Sequence, residues 1–200
     1  MQEIISKEEF DELMKIKGEG RGETFKNEAG YILHKEGKEG LKKLEEVMAS
    51  AGYPIKYKKV KSMGFYPLGV EATTLLAIKR LFNYDDKDFQ EMGRYEPKIS
   101  PSIIRMFLNY FVSLERAIKG IGGVWKRMYT VGEIRVVDYD LKKKYAVLKL
   151  KNFYVSPLHC QDLIGHFAGL LEMMVKTKVD CRETKCSFRG DEYHEFLFKW

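Results

Sequence analysis

Cys160-Gln161-Asp162-Leu163-Ile164-Gly165-His166-Phe167-Ala168-Gly169-Leu170-Leu171 opens the last fifth of this 200-residue chain. Two shorter segments answer it: Glu183-Thr184-Lys185-Cys186, then Gly190-Asp191-Glu192-Tyr193-His194-Glu195-Phe196. Together they carry four donor residues, Cys160, Glu183, Cys186 and His194. Two thiolates, an imidazole and a carboxylate complete a tetrahedral shell for Zn²⁺ and leave no position for a substrate water. A closed site of that kind holds a fold together and performs no reaction. Buried free cysteine is also a common small hydrophobe, so the residue chemistry alone leaves a metal site and a packed core both open.

Working outward, Pro157 precedes a helix expected from about His159 to Thr177, with Cys160 at its start. On one side, Glu133 to Tyr139 and Tyr145 to Phe153 alternate apolar and polar residues around the charged turn Asp140 to Lys144, the pattern of a hairpin. On the other side, Lys178 to Arg182 and Tyr193 to Trp200 read as a second antiparallel pair. Upstream the period becomes helical. Ser6 with Glu9 three residues on is a capping box opening a helix over residues 7–17. Gly18 to Gly22 breaks it, and a second helix is expected from Glu23 to about Lys35. Gly37 and Gly40 punctuate before a third that Gly52 closes. Pro54 to Tyr66 reads as extended, Val70 to Phe82 as helix, and Asp85 to Met92 as a shorter helix ending at Gly93. Pro97 and Pro101 mark a loop. Ser102 to Ile118 is the longest apolar helix, covered on most sides, and Gly120-Ile121-Gly122-Gly123 ends the helical part. The fold class is therefore α+β: an N-terminal helical half packed on a small antiparallel sheet with one inserted helix. We expect a single domain, residues 1–120 mainly helical and 121–200 containing the sheet.

Composition narrows the class. The chain is 44% hydrophobic and 32% charged, which is globular and not disordered. Residues 1–20 lack the order of a signal peptide and no apolar run would span a bilayer, so a cytoplasmic protein is expected. Three cysteines point to metal or free thiols before a disulfide framework. Abundant Lys and Glu with only Gln2, Gln90 and Gln161 suggest a thermophile. The net charge of +6 raises nucleic acid as a partner, but Lys56 to Lys61 and Lys142 to Lys144 are short solvated runs and no nucleic-acid-binding signature is present. No nucleic-acid binding is expected.

The order Cys160, Gly165-x-x-x-Gly169, Glu183-x-x-Cys186, Gly190-Asp191, His194-x-Phe196 resembles the end of the 4-vinyl reductase domain family. That family is similar in fold to the haem-nitric-oxide-binding (H-NOX) domains and to TRAPP vesicle-tethering subunits. The resemblance is specific over about forty residues and looser upstream, through Gly22-Glu23-Thr24-Phe25 and Glu91-Met92-Gly93-Arg94. It implies that Cys160, Glu183 and Cys186 hold a structural zinc, with His194 standing where the family has its last cysteine. Cys181 has no counterpart in that pattern and reads as a packed thiol. His159 is expected to be exposed, and His34 has no chemical company.

Sensory members of the family enclose a small hydrophobic or aromatic molecule. The resemblance thus implies a stand-alone sensor or carrier, a homodimer by expectation, with pocket candidates Phe107, Phe111, Trp125, Tyr129, Tyr139 and His166. An interaction scaffold of TRAPP type is the alternative, and a tetrapyrrole-related reductase accessory a weaker one. No Gly-x-Gly-x-x-Gly follows a strand, no Walker motif occurs, and Gly18-Glu19-Gly20-Arg21-Gly22 follows a helix. No enzymatic activity is therefore expected. The Tyr-x-Ser-x-Arg motif that accompanies a haem-ligating histidine is missing, so no haem is expected either.

Overall fold

A computed structural model of the protein describes residues 4–101 and 113–200. The stretch 102–112, which holds the pocket candidates Phe107 and Phe111 and most of the expected longest helix, lies outside the described residues. The first helix, α1 (Lys7–Leu13), begins at Ser6, whose Oγ accepts from the Glu9 amide while Glu9 Oε2 accepts from the Ser6 amide. α2 (Gly22–Lys35), α3 (Gly37–Ser50), α4 (Leu68–Phe82) and α5 (Asp86–Ile99) follow. Their apolar faces enclose one core, with Phe25, Ile32, Leu44, Met48, Leu75, Ile78 and Phe89 at its centre.

Several sequence expectations are corrected in this half. The Gly18–Gly22 segment carries a short strand, β1 (Glu19–Arg21), paired antiparallel with β2 (Phe65–Pro67). Residues 57–59 form a 3-10 turn where an extended segment was expected. α3 runs through Gly40, and α5 runs through Gly93 and Pro97 instead of stopping at Met92. Gly93 is mid-helix because another helix crosses there: a Cβ at this position would lie 2.0 Å from the Asp162 carbonyl oxygen.

The second half begins with α6 (Leu114–Met128), which continues through Gly120, Gly122 and Gly123. Each glycine costs roughly 1 kcal/mol of helix propensity. Packing of Leu114, Ile121, Trp125 and Met128 against the sheet-side core overrides that cost. β3 (Glu133–Asp140) and β4 (Tyr145–Lys151) form the expected hairpin, α7 (Pro157–Val175) follows, and β5 (Asp180–Lys185) and β6 (His194–Lys199) complete an antiparallel sheet of order β3-β4-β6-β5. Strict alternation on β4 turns Ala146, Leu148 and Leu150 inward, and on β6 His194, Phe196 and Phe198. The fold class is thus α+β as read from sequence.

α7 joins the halves. One side packs Leu163, Phe167 and Leu171 with the sheet residues; another crosses α5 with almost no gap. A Cβ on Gly165 would stand 2.0 Å from the Gln90 carbonyl oxygen, and one on Gly169 2.8 Å from that of Arg94. The Gly-x-x-x-Gly spacing is therefore a helix-crossing surface, flanked by a Gln90–Gln161 hydrogen bond of 2.8 Å and an Arg94–Glu172 ion pair. No helix among the described residues is long and apolar enough to cross a membrane.

Candidate functional site

Two groups of buried polar side chains lie on α7. The first is built where the sheet meets the start of that helix. Ser156 caps it by accepting from the His159 amide, which sets Cys160 in the first turn. The β5–β6 register places Glu183 opposite Phe196 with its side chain buried, and the alternation of β6 turns His194 to the same layer. Cys186 follows β5, its amide held by Asp191 Oδ2 at 2.8 Å. One ligand atom from each of Cys160, Glu183, Cys186 and His194 lies within 4.8 Å of all the others.

Cys160 Sγ is 3.9 Å from Cys186 Sγ and 3.7 Å from His194 Nδ1. A tetrahedral zinc with ordinary bond lengths has S–S edges of about 3.8 Å and S–N edges of about 3.6 Å. His194 Nε2 lies 3.0 Å from the Phe153 carbonyl, an acceptor, so Nε2 carries the proton. With that tautomer the Nδ1 lone pair points at Glu183 Oε1, 2.9 Å away. Two acceptors so placed need a cation between them, a proton or a metal ion. Burial, and next the Glu183 carboxyl, push the Cys160 thiol up; burial likewise raises Cys186. Metal binding here would displace protons. The residues fit a zinc ion. Cys181 is buried among the sheet-side hydrophobes and stands apart from the four.

The second group lines a cavity of about 370 Å³ between the halves. Trp125, Tyr129, Phe167, Leu163 and Leu170 supply apolar wall. Glu23 and Glu28 enter from α2, Glu71 from α4, Glu96 from α5, and Asp162 and His166 from α7. These five carboxyl side chains are at most 5% exposed. Ser100 Oγ meets Glu23 Oε1 at 2.6 Å, His166 Nδ1 meets Glu96 Oε2 at 3.2 Å, and the Tyr129 hydroxyl donates to Glu71 Oε1 at 3.5 Å. Burial pushes Glu28, Glu71, Glu96 and Asp162 well above the usual carboxylate range, and for Glu28, Glu71 and Asp162 the neighbouring carboxyls add to it. Burial also lowers His166, and takes His159 down to about 3.

Of the four expected pocket candidates among the described residues, Trp125, Tyr129 and His166 line this cavity. Tyr139 does not. It is 42% exposed on β3, whose outward face takes every second residue. His159, expected at the surface, is 2% exposed, with Nε2 3.6 Å from Glu71 Oε1, because α7 is enclosed on most sides. His34 has aromatic company, stacked on Tyr95 at 4.9 Å. The carboxyls were missed by sequence reasoning. Their signal was an acidic residue alone in an apolar helix: Glu71 within Leu68–Ile78, Asp162 within Leu158–Leu171.

No protein-family model matches the chain. Among curated proteins it is 29% identical over 108 residues to the uncharacterized protein MJ0150 of Methanocaldococcus jannaschii, a match covering 50% of this chain and 61% of that protein. The chain thus matches about three-fifths of that relative's length. Among solved structures, an H-NOX protein from S. oneidensis in the Fe(II)NO ligation state superposes with a TM-score of 0.68 at 14% identity, covering 90% of this chain and 98% of that one. An unliganded Fe(II) H-NOX mutant from K. algicida gives 0.61 at 13%, covering 90% and 95%. A further match, 12% identical with a TM-score of 0.61, is described by its heme redox potential and porphyrin distortion; it covers 90% of this chain and 99% of that one. At such identities the likeness is one of fold, shared with the H-NOX domains.

Proposed function

We propose that the protein is a small-molecule-binding sensor or carrier domain of the 4-vinyl reductase type, fastened by one structural zinc on Cys160, Glu183, Cys186 and His194. The observation that carries the binding role is the 370 Å³ cavity with aromatic wall at the junction of the two halves. A scaffold of TRAPP type has no use for such a volume, since a filled core would serve it better. The zinc is supported by sulfur and nitrogen spacings that match tetrahedral edges.

Haem has no part in this reading, although solved proteins of the same fold carry iron. Porphyrin needs apolar faces and a place for two anionic propionates. Among the described residues the buried polar wall of this cavity is made mainly of five carboxyl groups, of the wrong sign for that cargo. Arg21 and Arg127 lie at its Met63 side, where the Arg21 guanidinium already donates to backbone carbonyls. Both histidines near it already face carboxyl oxygens.

Native mass spectrometry against the denatured mass is the test. One zinc per chain with an additional small-molecule mass supports both parts of the reading. A metal-free, ligand-free protein that also binds no apolar probe would overturn it, and a Soret band after incubation with haemin would overturn the haem-free part.

A further inference from the structure

The acidic wall of the cavity has no role in a purely hydrophobic binding site. Glu28 Oε2, Glu71 Oε2, Glu96 Oε1 and Asp162 Oδ1 are buried with no hydrogen-bond partner among the described residues. Each belongs to a side chain that lines the cavity and is at least 95% buried. A buried carboxyl left without a partner costs on the order of 1–3 kcal/mol, and more when charged. Four around one volume, brought by four separate helices, present acceptors that a positively charged group would pair.

Two kinds of cation fit four carboxyls, and geometry separates them. A metal ion needs three or more donors converging on a point. Among the described residues only the Cys160 cluster has that convergence; the cavity carboxyls do not. The volume is also far larger than an ion requires, and Trp125, Tyr129 and Phe167 present aromatic surface, which attracts organic ammonium and guanidinium groups. Among the described residues the lining has two cations, Arg21 and Arg127. Arg127 is exposed, and the Arg21 guanidinium donates to the Arg127 and Met63 carbonyls while stacking 3.8 Å over Phe65. Among the described residues neither pairs with a cavity carboxyl, and they flank the Met63 side of the lining.

We propose that the cavity takes an organic cation, an ammonium or amidinium carried on an aromatic or aliphatic body, with the charge held by Glu28, Glu71, Glu96 and Asp162 and the body against Trp125, Tyr129 and Phe167. The proposal rests on the binding role above and names its ligand class. Recognition divides between the two walls. The aromatic side accepts any flat apolar body, and the acidic side selects charge, because an uncharged ligand leaves the carboxyl oxygens unpaired and an anion meets them with repulsion.

The test uses the full chain and three probes sharing one phenyl ring: phenethylamine, phenethyl alcohol and hydrocinnamate, titrated by calorimetry. The amine is expected to bind at least tenfold tighter than the alcohol, and hydrocinnamate not at all. Glu71→Gln should weaken the amine at least tenfold and leave the alcohol within twofold; Glu96→Gln repeats the test should the first variant fold poorly. Equal or tighter binding of the alcohol would overturn the cation proposal and leave the binding role standing. Failure of all three probes, together with failure of an apolar dye, would overturn both. Mn²⁺ binding to the zinc-loaded protein that Glu71→Gln abolishes would replace the organic cation with a metal.

Discussion

The cysteine cluster and the acidic cavity are two buried polar groups on one helix, and they differ in how their donors are arranged. In the cluster, four ligand atoms face one another within 4.8 Å. Around the cavity, carboxyls from α2, α4, α5 and α7 are spread over the wall of a volume of about 370 Å³. Convergent donors suit a point charge and dispersed donors suit an extended molecule. The same difference governs stability. On the proposed reading a metal would offset the repulsion among the cluster's anions, whereas burial raises the cavity carboxyls above the usual range and a bound cation would offset that cost.

The largest effect should come from breaking the cluster. Cys186→Ala is expected to abolish bound zinc and to destabilise the fold by on the order of 5 kcal/mol, since structural zinc contributes directly to folding. Metal analysis with a thermal melt checks it; unchanged zinc and Tm would show that the cluster is a packed core.

Gly165→Ala strikes the ground shared by both sites. With the Gln90 carbonyl oxygen 2.0 Å from the added carbon, α5 and α7 must part, at a cost of about 3 kcal/mol. Ligand binding should fall more than zinc content, because Glu96 and Asp162 face the cavity from the two helices that separate, while the cluster lies at the end of α7. Equal loss of both would mean that the two sites are not independent.

Glu71→Gln should act in the opposite direction. Its folded-state carboxyl titrates well above 4.5, so the folded protein binds more protons than the unfolded one and stability falls as pH rises beyond about 4.5. Replacing the group with a neutral amide should therefore stabilise the ligand-free protein at pH 8 and have little effect near pH 4. Melting curves across that range check the sign; a variant less stable at pH 8 would refute the account of the cavity.

A pair remote from both sites gives the smallest effect. Arg80 binds Glu9 through two hydrogen bonds of 2.7 and 2.8 Å, which hold the Glu9 carboxyl down to about 2. Its contribution is present above about 4.5 and is lost as pH falls toward 2. With both side chains about two-fifths exposed, Glu9→Gln should cost less than about 1 kcal/mol at pH 7 and leave zinc and ligand binding unaltered.

How much could be read in advance depends on the range of the interaction. The Ser6–Glu9 cap, the Asp140–Lys144 turn and the period of β4 and β6 are local, and each is where the sequence places it. Gly93 misled because local propensity counts a glycine as a break, while a crossing helix can require one; Gly120 to Gly123 misled because packing of α6 against the sheet-side core outweighs propensity. The four donors Cys160, Glu183, Cys186 and His194 were legible because a short helix-start, a strand end and the next strand bring them together through near neighbours in the sheet. The cavity was not. Glu28, Glu71, Glu96 and Asp162 are distant in sequence, and each alone resembles an ordinary charged residue on a helix.

The sequence by itself determined the α+β class and the hairpin and helix of the sheet-containing half, because periodicity and turn chemistry are written in residues a few positions apart. It named Cys160, Glu183, Cys186 and His194 through a family resemblance. Only the tertiary structure decided that α5 and α7 cross at their glycines, that His159 is buried, and that carboxyls from four helices surround one volume. Those features depend on which surfaces meet, and the balance between burying a charge and pairing it exists only once they have met.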